Sequence, residues 1–502
     1  MNIQITGITI AALLAFALAP VVHSKDYGNG RENLAPSLLL ENSNGQNDHW
    51  KGIGRLIINA SHPDSHCTAT LIDTRDHDTG TSGPAYVLTS AHCVSFDSMN
   101  VVAHQASDGH IDFNYFHDTA NDHRRYALKQ VAWSRLRGLD MAIVELDASL
   151  QTLMDNGIQP LQLKTSTPAI AAELLIVGAP TQYPERGLRL STCRHVSIET
   201  LIEQPAIHRG FYKDNCQGLR PGSSGSPLLD RYSNEVLGVV STSTATSLPE
   251  NRCMEDAPCE LKNGWPHWSA GTNYASPTAH LQHCFAQGLF RASTAGCDLM
   301  PSVTFSQKRP MVNYYQRVKY DADGSATLPT WQFAFSLDQP LYRYKSVRDP
   351  QLCESPNHYS DVMSAEDAQI NDPVGAEPGI YLLCIVGVDS SEQSPTVAMM
   401  KSPLVIATEI AEPGPTRAPQ FDITRQNNGD HSIQWHFSNP TLSAYEYKAG
   451  AESETDCDEP EGYAITFDDV QIGASELPVK LCTKAFDMSG QRSAPRMDLL
   501  GA

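Results

Sequence analysis

Three short segments of the chain carry residue types that together support nucleophilic attack on an acyl group. His92 lies in the segment T-S-A-H-C, Asp140 begins the segment D-M-A-I-V, and Ser224 is the third residue of G-S-S-G-S-P. A serine hydroxyl needs a base to take its proton, and a histidine base needs a carboxylate to fix its tautomer and stabilise its charged form. The three segments supply these residue types in the order His, Asp, Ser.

Small residues surround Ser224. The tetrahedral oxyanion formed by attack on a carbonyl needs preorganised donors, and backbone N–H groups between small residues can supply them. A glycine two residues before the serine, Gly222, lets the chain turn so that two N–H groups point to one place. The segment therefore has the composition of an oxyanion-binding loop.

Other chemistries fit the sequence less well. An α/β-hydrolase requires G-x-S-x-G and the chain order Ser, Asp, His, whereas a glycine directly follows Ser224 here. The zinc-protease pattern H-E-x-x-H is absent from the sequence. The segment Asp321–Gly324 has the start of a calcium loop without its later ligands, so we predict a turn there. No cofactor and no metal are expected.

The three blocks, in their order, resemble those of the chymotrypsin-type serine proteases. The form G-S-S-G-S-P is most similar to the bacterial branch that includes lysyl and glutamyl endopeptidases, and the resemblance covers about residues 50–290. It implies that Ser224 is the nucleophile, His92 the general base and acid, and Asp140 the carboxylate that orients His92. It also implies an oxyanion hole made by the N–H groups of Gly222 and Ser224.

The resemblance leaves the substrate preference open. Trypsin carries an acid six residues before the nucleophile; Gly218 stands there, and a neutral residue cannot select a basic side chain by a charge-assisted bond. Ser241 and Ser243 correspond to the pocket wall, where Ser243 would narrow the pocket. Val240 replaces the histidine of glutamyl endopeptidases, so a preference for acidic side chains is not supported.

Two acids, Glu255 and Asp256, lie between Cys253 and Cys259. They either reach the pocket or belong to a solvated surface loop closed by a disulfide. We favour the surface loop.

The animal enzymes of the family carry an aspartate directly before the nucleophile, and it captures a new N-terminus after cleavage. Ser223 occupies that position, and no I-V-G-G-like segment precedes the first strand. We therefore expect the oxyanion hole to form without such an ion pair. Whether residues 25–49 act as a pro-segment stays open.

The elements that must position these residues are mostly strands. Short apolar runs separated by Gly, Pro, Asn and Asp predict strands at 53–58, 67–72, 85–89, 140–146, 174–177 and 236–241. Apolar residues at near-helical spacing after Pro277 predict a helix over Thr278–Gly288. With the resemblance, the fold expected for residues 25–300 is an all-β, chymotrypsin-like double β-barrel with a closing C-terminal helix.

The remainder of the chain contains a repeat shifted by about 100 residues. Q-F-A-F at 332–335 corresponds to Q-W-H-F at 434–437, and Y-R-Y-K at 342–345 corresponds to Y-E-Y-K at 445–448. Alternating strands without a helical pattern predict two β-sandwich domains, 301–410 and 411–502, which resemble fibronectin type III or immunoglobulin-like modules. These C-terminal modules are expected either to act as spacers or to bind substrate or a surface partner.

Twelve cysteines, an even number, predict a disulfide framework made in an oxidising compartment. Sequence does not prove their connectivity, but they fall into near-neighbour pairs that we expect to bridge: Cys67 and Cys93, Cys193 and Cys216, Cys253 and Cys259, Cys284 and Cys297, Cys353 and Cys384, Cys457 and Cys482. The family resemblance implies that the first of these braces the histidine loop.

Residues 1–24 contain an apolar run with small residues at its end, which is typical of a signal peptide and predicts a secreted or periplasmic protein without a membrane anchor after cleavage. The formal net charge of −21 argues against nucleic acid as a partner. The expected function is therefore that of a secreted serine endopeptidase acting on polypeptides. A catalytically silent binding protein and an acyl ester hydrolase that uses the same residues remain the alternatives.

Overall fold

The computed structural model of the chain describes residues 25–59, 66–76, 79–95, 100–281, 283–297, 299, 303–308, 311–396, 399–400 and 403–501. The predicted signal peptide, 1–24, lies outside the described residues. Strands dominate, so the prediction of an all-β chain is confirmed. Within the described ranges, none of the helices has the length and apolar character needed to cross a membrane.

The first strand, β1 (Leu38–Leu39), belongs to the second sheet of the chain, and seven strands then form the first sheet. These seven are β2 (Ile53–Ile57), β3 (Cys67–Leu71), β4 (Pro84–Thr89), β5 (Val102–Ala106), β6 (His110–Phe113), β7 (Arg124–Arg135) and β8 (Met141–Ser149). Pairing of β7 with β8 closes the ring β7-β6-β2-β3-β4-β8 into a six-stranded barrel. Its interior is packed with aliphatic side chains such as Leu56, Val87 and Val144. A six-residue helix, α1 (Leu150–Asp155), follows, and the Ser149 hydroxyl accepts a bond from the N–H of Thr152 at its start.

A second sheet of nine strands follows, in the order β11-β16-β13-β12-β9-β10-β14-β15 with β1 added beside β10. Its remaining strands are β9 (Glu173–Gly178), β10 (Arg189–Glu203), β11 (Ala206–Asp214), β12 (Pro227–Asp230), β13 (Val236–Ser243), β14 (Cys259–Lys262), β15 (Trp265–His267) and β16 (Asn273–Pro277). β10 also pairs with β11, so the pairing returns to its starting strand. The tip of this long β10–β11 hairpin carries Glu203 and Ala206.

The predicted helix over Thr278–Gly288 is wrong. A 3-10 helix spans Thr278–Leu281, and then β17 (Phe285–Ala286) pairs with β18 (Leu289–Phe290). The two residues between these strands have positive φ, 53° at Gln287 and 76° at Gly288, as a tight hairpin turn requires. A Cβ on Gly288 would lie 2.4 Å from the backbone nitrogen of Gly83, so the turn packs backbone against backbone.

The described residues between 303 and 410 form ten strands in two sheets and a hairpin. The strands are β19 (Phe305–Gln307), β20 (Tyr315–Gln316), β21 (Lys319–Tyr320), β22 (Ala326–Thr327), β23 (Phe333–Leu337), β24 (Leu341–Val347), β25 (Met363–Ser364), β26 (Gln369–Ile370), β27 (Gly379–Val388) and β28 (Leu404–Ile410). The sheets are β19-β23-β26 and β20-β28-β27-β24-β25, while β21 and β22 form the hairpin whose turn holds Asp321–Gly324. That segment is therefore the turn that the sequence predicts.

Residues 421–500 repeat the arrangement with sheets β29-β30-β33 and β32-β31-β34-β35. The strands are β29 (Phe421–Arg425), β30 (His431–Trp435), β31 (Ala444–Gly450), β32 (Ala464–Thr466), β33 (Val470–Ile472), β34 (Val479–Phe486) and β35 (Arg496–Leu500). The register agrees with the predicted repeat, because Lys345 pairs with Cys384 in the first copy and Lys448 with Cys482 in the second.

All six predicted disulfides are present, and the described residues contain no free cysteine. The pairing is local, with sequence separations from 6 to 31 residues. Disulfides that close such short loops cross-link individual hairpins and turns.

Strand β27, within residues 303–410, packs directly against the second sheet. One apolar cluster joins Ile202 and Ile207 of the β10–β11 hairpin to Ile380 and Leu382 of β27. Polar contacts surround it, including an ion pair of 2.8 Å between Nη2 of Arg252 and Oε1 of Glu409. The apolar cluster therefore packs the β10–β11 hairpin against β27.

Candidate active site

His92 and Asp140 lie side by side where two strands of the first barrel end. His92 lies in the 3-10 turn Ala91–Cys93 directly after β4, and Asp140 directly precedes β8, which pairs with β4. Nδ1 of His92 is 2.9 Å from Oδ2 of Asp140, and the backbone N–H of His92 donates to Oδ1 at 3.0 Å. One carboxylate thus fixes both the ring and the backbone of the histidine.

Asp140 is held rigidly. It is 2% exposed, its φ is +40°, and the hydroxyl of Ser241 donates to its Oδ2. The preceding loop is tied to β11, since the N–H of Gly138 donates to the carbonyl of Ile207 at 2.9 Å. Burial raises the pKa of the Asp140 carboxyl, but the His92 charge and the bonds from His92 and Ser241 outweigh it and bring this pKa below its usual value.

The His92 side chain is one-third exposed to the cleft. Burial lowers the pKa of its imidazole, yet the neighbouring Asp140 carboxylate has the greater effect, so the pKa lies well above 6.5. The charges of Glu203 and Asp256 act in the same direction. An imidazole stabilised as its cation is suited to hold a proton taken from a hydroxyl.

The loop that carries Ser224 is anchored to the first barrel through Thr68, a buried residue of β3. The N–H of Thr68 donates to the carbonyl of Ser224 at 2.8 Å. Its hydroxyl donates to the carbonyl of Gly222 at 2.9 Å and accepts from the N–H of Ala179 at 2.9 Å. The serine loop of the second sheet is thereby fixed relative to the histidine and aspartate of the first.

Two backbone N–H groups of this loop are available to an oxyanion. Among the described residues, the N–H groups of Gly222 and Ser224 have no hydrogen-bond partner. The carbonyl of Pro221 accepts from the N–H of Thr181 at 2.8 Å, and because the peptide unit is planar and trans, the N–H of Gly222 points the opposite way. Gly222 has a φ of +89°, and a Cβ there would lie 2.7 Å from Cγ2 of Thr181, so only glycine fits.

The predicted triad lines a single cleft of about 500 Å³ together with Gly222, Ser241 and Ser243. Gly218 is not among its lining residues. A Cβ on Gly218 would lie 2.4 Å from Oγ of Ser37, and its carbonyl accepts from the Tyr183 hydroxyl at 3.0 Å. Of the predicted pocket residues, Ser241 and Ser243 therefore lie in the cleft wall, whereas Gly218 does not line the cleft.

Glu255 and Asp256 also line the cleft while remaining exposed. The surface-loop interpretation of these two acids is thus incomplete, because the loop closed by Cys253 and Cys259 lies at the rim of the cleft. The N–H of Gln204 donates to the carbonyl of Cys253 at 2.9 Å, and this bond holds the loop against the tip of the β10–β11 hairpin.

Sequence reasoning missed Glu203, His208 and Thr68. Glu203 and His208 line the cleft, and Glu203 meets its partner Thr242 across 39 residues of sequence. No local pattern marks such a contact. The available signal was the dipeptide Gln204-Pro205. Predicting a hairpin turn there would have placed Glu203 at the end of a strand.

Residues 25–49 pack onto the second sheet. Asp26 forms a two-bond ion pair with Arg231, whose hydrogen bond outweighs burial and lowers the pKa of Asp26 to about 2. The N–H of Leu34 donates to the carbonyl of Thr192 at 2.8 Å, and β1 pairs with β10. At the position where the animal enzymes carry an aspartate, the Ser223 hydroxyl accepts from the N–H of Arg220 at 3.2 Å.

Two clusters in the described part of the chain have a geometry suited to a metal ion, namely Cys67 with His92 and Cys93, and Cys193 with Asp214 and Cys216. The cysteines of both clusters are joined in disulfides. Their sulfurs are therefore not thiolate ligands.

The chain was compared with solved structures and with curated sequences. Three of the solved structures that match part of it are the Rv3671c protease from M. tuberculosis in its active form (17% identity, 57% of this chain and 95% of that chain covered, TM-score 0.31), human heparin binding protein (13%, 49% and 92%, 0.31) and the MamO protease domain from Magnetospirillum magneticum (11%, 46% and 93%, 0.30). No curated protein matches the sequence. Residues 67–239 match the sequence model of the trypsin-like peptidase domain.

Proposed function

We propose that the protein is a serine endopeptidase, secreted or periplasmic, that cleaves polypeptides through an acyl-enzyme intermediate. The observation that carries the proposal is the bond between His92 and Asp140 in a cleft that also holds Ser224 and two N–H groups without a partner in the described part of the chain. The match of residues 67–239 to the trypsin-like peptidase domain supports the same reaction class.

In this mechanism His92 takes the proton of the Ser224 hydroxyl as the oxygen attacks the carbonyl carbon of the scissile bond. The N–H groups of Gly222 and Ser224 stabilise the oxyanion, and Asp140 stabilises the imidazolium. His92 then gives its proton to the leaving amine. A water molecule, deprotonated by His92, hydrolyses the acyl-enzyme and restores Ser224.

The fold proposed for residues 25–300 is a double β-barrel of the chymotrypsin type, with one barrel from each of the two closed sheets. Residues 301–410 and 411–502 would be two β-sandwich modules, in support of which each copy contains two sheets and one disulfide. The first module supports the catalytic unit through the apolar cluster behind the β10–β11 hairpin. The second remains a candidate for binding a substrate or surface partner.

Labelling with a serine-directed fluorophosphonate tests the proposal. We expect the full chain to be labelled at Ser224 and to cleave peptides, and Ser224→Ala to lose both. Ser223→Ala is the matched control, because it removes a neighbouring hydroxyl whose one hydrogen bond among the described residues comes from the N–H of Arg220, and it keeps the backbone bonds of Ser223. A folded protein without labelling would favour a silent binding protein, and ester turnover without peptide cleavage would favour an ester hydrolase.

A further inference from the structure

Glu203 occupies a position in the cleft that the proposed reaction does not use. It is the last residue of β10, at the tip of the hairpin, and it lines the cleft with His92 and Ser224. Oγ1 of Thr242 donates to its Oε1 at 2.9 Å. Thr242 follows Ser241, which bonds to Asp140, so the carboxylate is fixed close to the catalytic groups.

The side chain of Glu203 is 13% exposed, and within the described residues neither Lys nor Arg lies within 4 Å of its carboxylate. Nε2 of His208 lies 3.6 Å from Oε2 of Glu203, on a ring that is 2% exposed and whose Nδ1 has no partner among the described residues. A carboxylate so deeply placed is costly without a permanent cation beside it. The structure therefore contains a mostly buried acid, directed to a cleft, whose cationic partner is missing.

The surrounding charges favour a cation from outside. Glu255 and Asp256 line the rim of the same cleft, and Arg220 is its only Lys or Arg lining residue in the described chain. Arg220 is exposed and lies farther than 4 Å from Glu203. Acidic groups in a partly enclosed cleft concentrate positive charge near the nucleophile.

The strand that would bind a substrate backbone runs past Glu203. β13 pairs with β12 only up to Val239, whereas Thr242 and Ser243 pair with β16 alone. Among the described residues, nothing pairs with the other edge of this strand segment, and an extended peptide can pair with it. The side chains of such a peptide would pass close to Glu203.

We propose that Glu203 is a specificity-determining residue that binds a Lys or Arg side chain of the polypeptide substrate close to the scissile bond. This inference rests on the proposed peptidase function of the same cleft. The negative charge that would bind this side chain lies on the β10–β11 hairpin. It does not lie at Gly218, where Ser37 occupies the space of a side chain and the Tyr183 hydroxyl donates to the carbonyl. Glu255 and Asp256 add attraction at the rim.

Binding to the full-length Ser224→Ala variant tests the inference without turnover. The probes are fluorescent neutral peptides in which one position at a time is replaced by Lys, and the same set with norleucine, which has the same length and no charge. At one position we expect the Lys peptide to bind about 10- to 100-fold more tightly than its norleucine counterpart, as a charge-assisted bond to a carboxylate permits. In the double variant Ser224→Ala, Glu203→Gln, the Lys peptide and its norleucine counterpart should bind with equal affinity.

Glu250→Gln is the control, because Glu250 is an exposed acid outside the cleft lining. The ratio should persist in that variant. Equal binding of Lys and norleucine peptides at every position, or a ratio that survives Glu203→Gln, overturns the inference. Fluorophosphonate labelling of the unsubstituted chain reports on Ser224 separately, so failure of the inference and failure of the proposed function are distinguishable.

Discussion

The N–H of Thr68 donates to the carbonyl of Ser224 while the hydroxyl of Thr68 donates to the carbonyl of Gly222. A single buried threonine of the first barrel thus holds two residues of the serine loop. Ser223 stands where an ion-pairing aspartate would be needed, so we expect these bonds to hold the loop without a newly cut N-terminus.

Thr68→Val should lower kcat about 10- to 100-fold with little change in KM. The valine leaves the Gly222 carbonyl and the Ala179 N–H without their partner, and a buried unpaired group costs about 1–3 kcal/mol. Peptide hydrolysis measures the split between the two constants, and Thr68→Ser should restore kcat. Thr70→Val is the matched control on the same strand, because the buried Thr70 hydroxyl has no partner in the described chain. Equal losses in both valine variants would contradict a positioning role.

Activity should rise with pH through the pKa of His92. Below that pKa the imidazole is protonated and cannot take the serine proton, and the Asp140 carboxylate shifts the pKa upward from 6.5. NMR titration of the ring protons in Ser224→Ala measures it directly. Asp140→Asn should lower the midpoint, because burial then acts without the compensating charge. A midpoint unaffected by Asp140→Asn would contradict the coupling.

Asp214 should make the protein less stable as the pH rises from about 4 to 6. It is fully buried, and burial outweighs the bonds from Asn273 and Cys216 and raises the pKa of its carboxyl to about 6 from an ordinary value of 3.8. Over this window the folded state binds more protons than the unfolded state, so the free energy of unfolding falls by up to about 3 kcal/mol.

Thermal unfolding of the full chain at several pH values measures this dependence. Asp214→Asn keeps an oxygen to accept the bonds of Asn273 and Cys216 but carries no charge, so its pH dependence between 4 and 6 should be flatter. Parallel curves for the two proteins would show that Asp214 is not the group responsible.

Removal of the C-terminal modules after residue 300 should destabilise the protein and impair the cleft. The cut exposes the apolar face made by Ile202, Ile207 and Leu261, and it removes the Glu409 partner of Arg252. Denaturant unfolding and peptide hydrolysis compare the fragment with the whole chain. A chain ending after residue 410 loses Ala411 and Met488 from this cluster but keeps Ile380 and Leu382, and it should be closer to the whole chain in both measurements. A fragment ending at 300 that matches the full chain would contradict the support role.

Features encoded within a few residues could be predicted from the sequence. The segments of His92, Asp140 and Ser224 and the near-neighbour disulfides are local patterns, and the structure brings the first three to one cleft and forms all six bridges. The helix over Thr278–Gly288 failed because the turn at Gln287-Gly288, with its positive φ values, imposes a hairpin on a helix-like apolar spacing. A turn at Gln204-Pro205 could have placed Glu203 at a strand end, but not its contact with Thr242, since that contact depends on a hairpin tip meeting a distant strand.

The apolar cluster behind the β10–β11 hairpin also bears on how this gene can be divided. The predicted boundary near residue 300 passes through a continuous core that includes Ile202 and Ile380. A segment that recombination transfers intact should therefore contain both sides of this core. The second copy has its own core around Trp435 and Leu481, and its ties to the first copy include Met488, which packs against the shared cluster, and the ion pair of 2.7 Å between Arg317 and Asp487. We expect its loss to cost less than a cut at residue 300.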